Sequence, residues 1–307
     1  VDVQQGDGLV LETPLGRKLF IDGGDNPLFA RYVAARYRGT TAEKPLEVDC
    51  MIVTHGDADH FSGLNKIKDS ETHKTARKRL FIHPRRVFHN GLVKGPSKKN
   101  GKTVPDTKMF GRTVKTAGGG LAVISLEEDL LKVPQTRMNR PFKGWIKALR
   151  HWAKRGPIEF RRLAFGDDDA FDFIKDENIK VEMHGPLKTR VTYGGKHKPG
   201  LKFLHKPPKA AELHLHEDPD ESRAFSAGHT INGHSLAFRL QYGNVRFYFS
   251  GDMNHESMAN LRKRVDKKDM QSEVLKVPHH GSADFDLQTL KDIAPIVSLI
   301  SSGDESS

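Results

Sequence analysis

The chain has 307 residues, enough for one large domain or two ordinary ones and for a sizeable core. It is 36% hydrophobic and 29% charged with one cysteine, Cys50, which excludes an intrachain disulfide framework and a multi-cysteine zinc site. No apolar run approaches the ~20 residues that span a bilayer, and 50 Lys and Arg against 39 Asp and Glu leave a net charge of +11, which points to polyanions, nucleic acid first.

Val1–Asp7 has neither a basic n-region nor an apolar stretch, so no signal peptide is expected there. The start at Val1 suggests a piece of a longer protein, and the cysteine usage makes the cytoplasm the expected compartment. Leu9–Thr13 alternates apolar and polar residues, and Pro14-Leu15-Gly16 turns the chain into a second strand, Lys18–Asp22. Leu28, Tyr32, Val33 and Ala35 give Asn26–Tyr37 a helical spacing. Asp49–Thr54 is a buried strand in which Cys50 reads as an inert thiol, and Leu80–His83 is another strand. Gly91–Gly120 carries Gly, Pro, Ser and Lys with little periodicity and reads as a long basic loop.

A helix follows, with Pro141 in its first turn and Gly156-Pro157 at its end. Phe142, Trp145, Ile146, Leu149 and Trp152 share its core face, and Arg140, Lys143, Lys147, Arg150 and Lys154 cluster on another. The two tryptophans read as core rather than as base-stacking platforms. Phe160–Pro219 shows no clear period, and its histidines, among them His184, His197 and His205, have no ligand spacing; His214-Leu215-His216 alternates like a surface strand. Strands return at Ser235–Leu240, Val245–Ser250, Glu273–Val277 and Ile296–Ile300, with helices over His255–Arg264 and Leu287–Ile293.

The positive charge is concentrated: 14 basic against 3 acidic residues in Lys68–Lys115, and 9 against 1 in Arg137–Arg162. A one-signed helix stripe forgoes the Glu–Lys pairs that helix surfaces usually gain. Arg140, Lys143, Lys147, Arg150 and Lys154 are therefore the candidate nucleic-acid contacts.

The chemistry begins at Thr54-His55-Gly56-Asp57-Ala58-Asp59-His60, where a buried strand ends and four ligand-type side chains follow within six residues. Imidazoles and carboxylates suit divalent cations. On a tight strand-to-helix turn His55 and Asp57 can face one ion while Asp59 and His60 face its neighbour. Asp252 closes a strand in Ser250-Gly251-Asp252, where it can bridge two ions, and His279-His280 closes another. Gly228-His229-Thr230-Ile231-Asn232-Gly233-His234-Ser235 enters a third.

In family order, Asp2-Val3-Gln4-Gln5-Gly6-Asp7, Ile21-Asp22-Gly23-Gly24, His55–His60, Ser250-Gly251-Asp252 and His279-His280-Gly281-Ser282 resemble the metallo-β-lactamase superfamily. They look most like the branch with the hydrolase domain of ComEC competence proteins, which has Asp where most of the superfamily has the second His; here Asp57 takes that place. The resemblance covers about residues 1–68 and 225–303. It implies an α/β (α+β) fold, an αββα metallo-β-lactamase sandwich in a single domain over 1–307, with a basic insertion in approximately 69–224 and the C-terminal part of the fold missing.

By the same resemblance Asp22 would support the site, His55 and Asp57 would bind a first metal, Asp59 and His60 a second, and Asp252 would bridge. His279 would be a further ligand, with His280 positioning substrate, and His234 is favoured over His229 in the remaining motif. The cofactors expected are two divalent metal ions, Mn or Zn, with Mg possible. The expected activity is that of a metal-dependent nuclease (a phosphodiesterase) using a metal-bound hydroxide held by Asp59, with nucleic acid as substrate, DNA favoured, and no membrane partner. Two alternatives stand. One is a small-molecule hydrolase acting on a lactone, thioester, β-lactam or cyclic nucleotide, which would not need the concentrated charge. The other is a non-catalytic nucleic-acid-binding effector module of a larger bacterial defence protein, which would not need the intact ligand set.

Overall fold

A computed structural model describes residues 1–206 and 223–303; His214 and His216 lie outside the described residues. The chain opens with β1 (Gly8–Glu12), β2 (Lys18–Asp22), α1 (Leu28–Arg36), β3 (Leu46–Val48), β4 (Cys50–Ile52), α2 (Ala58–Ser70), β5 (Ile82–Pro84) and β6 (Arg86–His89). The basic region carries a small ribbon, β7 (Lys98–Lys99) and β8 (Lys102–Thr103), then β9 (Thr113–Lys115), β10 (Leu121–Val123), α3 (Arg140–Trp152) and β11 (Glu159–Arg162). Next come β12 (Ile179–Gly185), β13 (Thr189–Tyr193) and β14 (Lys196–Lys202). The last part holds α4 (Ala227–Gly233), β15 (Ala237–Tyr242), β16 (Val245–Phe249), α5 (His255–Arg262), α6 (Lys267–Met270), β17 (Val274–Lys276), α7 (Leu287–Ile293) and β18 (Val297–Leu299).

Two five-stranded mixed sheets form the centre, in the orders β1-β2-β4-β6-β11 and β12-β15-β16-β17-β18. Strand alternation sorts their side chains into three layers. Leu19, Ile21, Cys50, Ile52 and Phe88 of the first sheet meet Val181, Met183, Phe238, Leu240 and Phe249 of the second in the core between the sheets. Phe20, Met51 and Val87 point the other way, onto Phe29 and Val33 of α1, Phe61 and Leu64 of α2 and Trp145 and Leu149 of α3. Ala237, Tyr248 and Leu275 face Met258 and Leu261 of α5 and Ile293 of α7. This is the αββα sandwich that the sequence led us to expect. Cys50 is fully buried, and burial pushes its thiol well above the usual range.

The middle of the chain differs from its sequence reading. Gly91–Gly120 is not one long loop: β9 pairs with β10, and β10 with β14, in a four-stranded antiparallel sheet over a satellite core that includes Phe110, Val123 and Phe203. Phe160–Pro219, which lacks an obvious period, supplies β12 to the second main sheet and the β13–β14 ribbon. That ribbon is held by its backbone register, and the exposed Lys196, His197 and Lys198 at its start give no burial alternation to read. Strands β6, β11 and β12, all within 69–224, are integral to the main sheets. Among the described residues no helix is long and apolar enough to cross a membrane.

Candidate metal centre

Strand geometry places the site. β2, β4 and β6 run parallel, as do β16 and β17, so their C-terminal ends collect at one rim, where loops carry chemistry. Asp22 is the last residue of β2 and sits in the left-handed region, φ 55. It is fully buried and accepts from the Thr54 backbone N–H at 2.8 Å and the Thr54 hydroxyl at 2.6 Å. His60 Nδ1 lies 2.9 Å from its Oδ2. That contact orients the His60 ring and leaves Nε2 facing Asp252 Oδ2 at 3.2 Å.

The loop after β4 packs tightly against the chain start. A Cβ on Gly6 would fall 1.8 Å from the Asp59 carbonyl oxygen, and one on Gly63 would fall 1.7 Å from the Gly23 carbonyl oxygen. This close approach brings Asp7 into the site. Asp7 Oδ1 lies 3.4 Å from His280 Nδ1, and its other oxygen is ion-paired with Lys276. Lys276, from the end of β17 and 4% exposed, also donates to the Gly251 carbonyl at 3.1 Å and lies 3.7 Å from Asp252 Oδ1.

His279 and His280 both adopt left-handed backbone, φ 48 and φ 55, a strained arrangement that clusters at functional sites. It splays the imidazoles, with ring centroids 6.1 Å apart. His280 turns inward: its Nε2 is 3.1 Å from Asp252 Oδ2 and 3.7 Å from Asp59 Oδ2, and its Nδ1 donates to the Ser301 carbonyl at 2.9 Å. His279 turns to Asn232, which accepts from its Nε2 at 3.2 Å and donates to Asp57 Oδ2 at 3.1 Å. Asp57 also pairs with Lys94. His55 lies beside His60, ring centroids 4.0 Å apart, with Nδ1 3.3 Å from the Ser235 hydroxyl.

The electrostatics follow from burial and crowding. Burial opposes ionisation of Asp252, yet His60 and His280 hold it well below the carboxylate range. Burial lowers His280, but Asp252 and Asp7 outweigh it and push the imidazole up to about 9. Burial, then the neighbouring His60, lower His55 to about 3.

Ligand-type atoms of Asp7, His60, Asp252 and His280 all lie within 4.8 Å of one another. Asp7 Oδ1, His60 Nε2, Asp252 Oδ1, His279 Nδ1 and His280 Nε2 are buried with no hydrogen-bond partner. Leaving such atoms unmet costs about 1–3 kcal/mol each, and a cation would satisfy several at once. Nitrogen and carboxylate oxygen in this mixture fit a divalent transition metal.

Sequence reasoning brought His55, Asp57, Asp59, His60, Asp252 and the histidine pair to one rim, with Asp22 behind them. Two placements differ from it. His280, not His279, enters the convergent cluster. His234 does not join: its ring bonds the Lys202 carbonyl at 2.6 Å, because the end of α4 turns Asn232 to the site instead. His229 also stays out, paired with Asp284 at 3.2 Å. Asp7, Lys94, Asn232 and Lys276 were missed as site residues; a lysine ending an otherwise apolar strand directly before the histidine pair was the available signal for Lys276.

Residues 2–124 match the family model of the Metallo-beta-lactamase superfamily. No curated protein matches the chain. The match covers the β1–β2 hairpin, the His55–His60 loop, α1 and α2 and stops before α3, and the mixed α/β fold is consistent with that of this superfamily.

Proposed function

We propose that the protein is a metal-dependent nuclease that hydrolyses phosphodiesters in nucleic acid, with DNA preferred. The observation that carries this reading is a groove of about 640 Å³ along α3, lined by Lys68, Lys143, Lys147, Arg150 and Lys154 with no carboxylate. α3 is 13 residues long, about 20 Å. Its first turn reaches the metal loop, for the Phe142 ring lies 3.3 Å from where a Gly56 Cβ would stand. A polyanion bound in the groove would therefore be led to the site. A small-molecule hydrolase would have no use for such a track. The preference for DNA rests on the ComEC-like pattern at Asp57.

His60, Asp252 and His280 would hold one ion, with Asp59 at its edge; His55, Asp57 and His279 would hold a second. When bound, divalent cations supply Lewis acidity and bring the pKa of water toward neutrality. The chain's own residues do the rest. Asp59, with a side chain 27% exposed, reaches the mouth of the site and can orient the attacking water and take its proton at Oδ2. Lys94, beside Asp57, offers a cation to the phosphoryl oxygens. Lys276 holds the Asp7 carboxylate in place, and Asn232 holds His279 and Asp57 in register.

The test is metal analysis with cleavage of labelled single- and double-stranded DNA and RNA in Mn²⁺, Mg²⁺ and Zn²⁺. The carboxylate at Asp57 raises the oxygen share of the site, so Mn²⁺ should support the fastest DNA cleavage. Asp252→Ala should lower turnover at least a hundredfold, about 3 kcal/mol. Full turnover in that variant with metal retained, or hydrolysis confined to small esters in the parent, would overturn the proposal.

A further inference from the structure

A second cavity lies behind the C-terminal end of α4, separate from the ligand cluster. It measures about 530 Å³, within the range that encloses a small organic molecule. Pro186, Leu204, Met253 and Leu261 give it an apolar wall, and Lys188, Lys202, Lys263 and Arg264 line it with no carboxylate among the lining residues. Lys188 pairs with Asp167 at 3.2 Å, whereas Lys202 and Arg264 form no ion pair among the described residues.

His184 and His234 also line the cavity, both more than nine-tenths buried. Burial lowers each to about 4, so both are neutral at pH 7. A carbonyl only accepts, so His234 donates to Lys202 through Nε2. Its Nδ1 is then an acceptor with no hydrogen-bond partner among the described residues. An apolar wall, an imidazole with a free ring nitrogen and exposed cations together suit a molecule with a flat hydrogen-bonding ring and an anionic group.

We propose that this cavity binds a mononucleotide-sized organic phosphate, its ring against the apolar wall with a donor to His234 and its phosphate at Lys202 and Arg264. This assigns His234 a role the metal centre does not. The site also borders the centre: Gly233 and His234 follow Asn232, and Met253 follows Asp252. Its occupant therefore touches backbone that places two site residues. The inference stands apart from the nuclease reading, since it requires no hydrolysis.

The experiment is calorimetric titration of the full metal-loaded chain with 5′-AMP, adenosine and inorganic phosphate at low salt. AMP should bind at one site at least tenfold more tightly than either fragment. Lys202→Glu with Arg264→Glu, both exposed positions, should weaken AMP at least tenfold. Metal content and hydrolysis of a small chromogenic phosphodiester should be unchanged. Absence of AMP binding overturns the proposal. So does AMP affinity that survives the double substitution, which would place the nucleotide at the metal centre. Phosphate binding as tightly as AMP would remove the ring from the argument and overturn it as well.

Discussion

Asp22 does three things with one carboxylate: it accepts both donors of Thr54, orients His60 and closes β2 in a left-handed conformation. An amide in its place keeps the size but loses an acceptor oxygen, so it cannot serve the Thr54 donors and His60 Nδ1 together. Asp22→Asn should weaken metal binding by about 10–100-fold, the usual cost of removing a partner behind a metal-ligating histidine. Competition against a chelator of known affinity measures this directly, and an unchanged metal affinity would show that His60 is oriented by something else. The same logic of orientation separates His279 from His280. Their identical side chains reach different partners because two consecutive left-handed residues turn them apart.

At the scale of elements, α3 joins stability to the proposed substrate track. Asn139 caps it by accepting from the Phe142 N–H at 2.9 Å, and Phe142, Trp145, Ile146, Leu149 and Trp152 are buried beneath it. Both tryptophans are at most 1% exposed, so neither can stack a base. The lysines on its outer face are exposed, so reversing their charge should leave the packing intact. Lys143→Glu, Lys147→Glu and Lys154→Glu together should weaken polynucleotide binding. Each lost phosphate contact should lower the log–log salt slope by about one. Hydrolysis of a small phosphodiester should persist. Equal polynucleotide affinity and salt slope in parent and variant would mean that this face is merely solvated.

For the whole molecule, buried histidines dictate the response to acid. His89, His184 and His234 are each lowered from 6.5 to about 4, chiefly by burial. Below pH 6.5 the unfolded chain takes up protons that the folded chain refuses, so stability falls as pH falls from 6.5 to 4. Each histidine contributes about 1.4 kcal/mol per pH unit in that window, about 3 kcal/mol apiece across it. His280, raised to about 9, acts in the opposite sense. Its contribution is fully present below 6.5 and is lost as pH rises through 9, so it does not offset the acid slope. Urea unfolding at a series of pH values from 7 to 4.5 should show this decline. His89→Gln should shallow it by one proton's worth, and an unchanged slope in that variant would refute the assignment.

What the sequence determined by itself is what local spacing encodes. Alternation in Leu9–Thr13, the helical period of Phe142–Trp152 and the ligand-rich turn at His55–His60 each depend on neighbours a few residues apart. These gave the separate elements and the ligand-rich turn, whereas the αββα sandwich was expected from the resemblance that the motifs carry in their order along the chain. The tertiary structure alone decided which side chains face one another across long separations. Asp7 and Lys276 meet from opposite ends of the chain, and no periodicity links them. In Asn232-Gly233-His234, two residues at the end of a helix point to different sides, so the motif contains a site residue but does not say which one it is. The ribbon β13–β14 was likewise hidden, because it is paired through backbone hydrogen bonds and the start of β14, Lys196–Pro199, is exposed and carries no hydrophobic pattern.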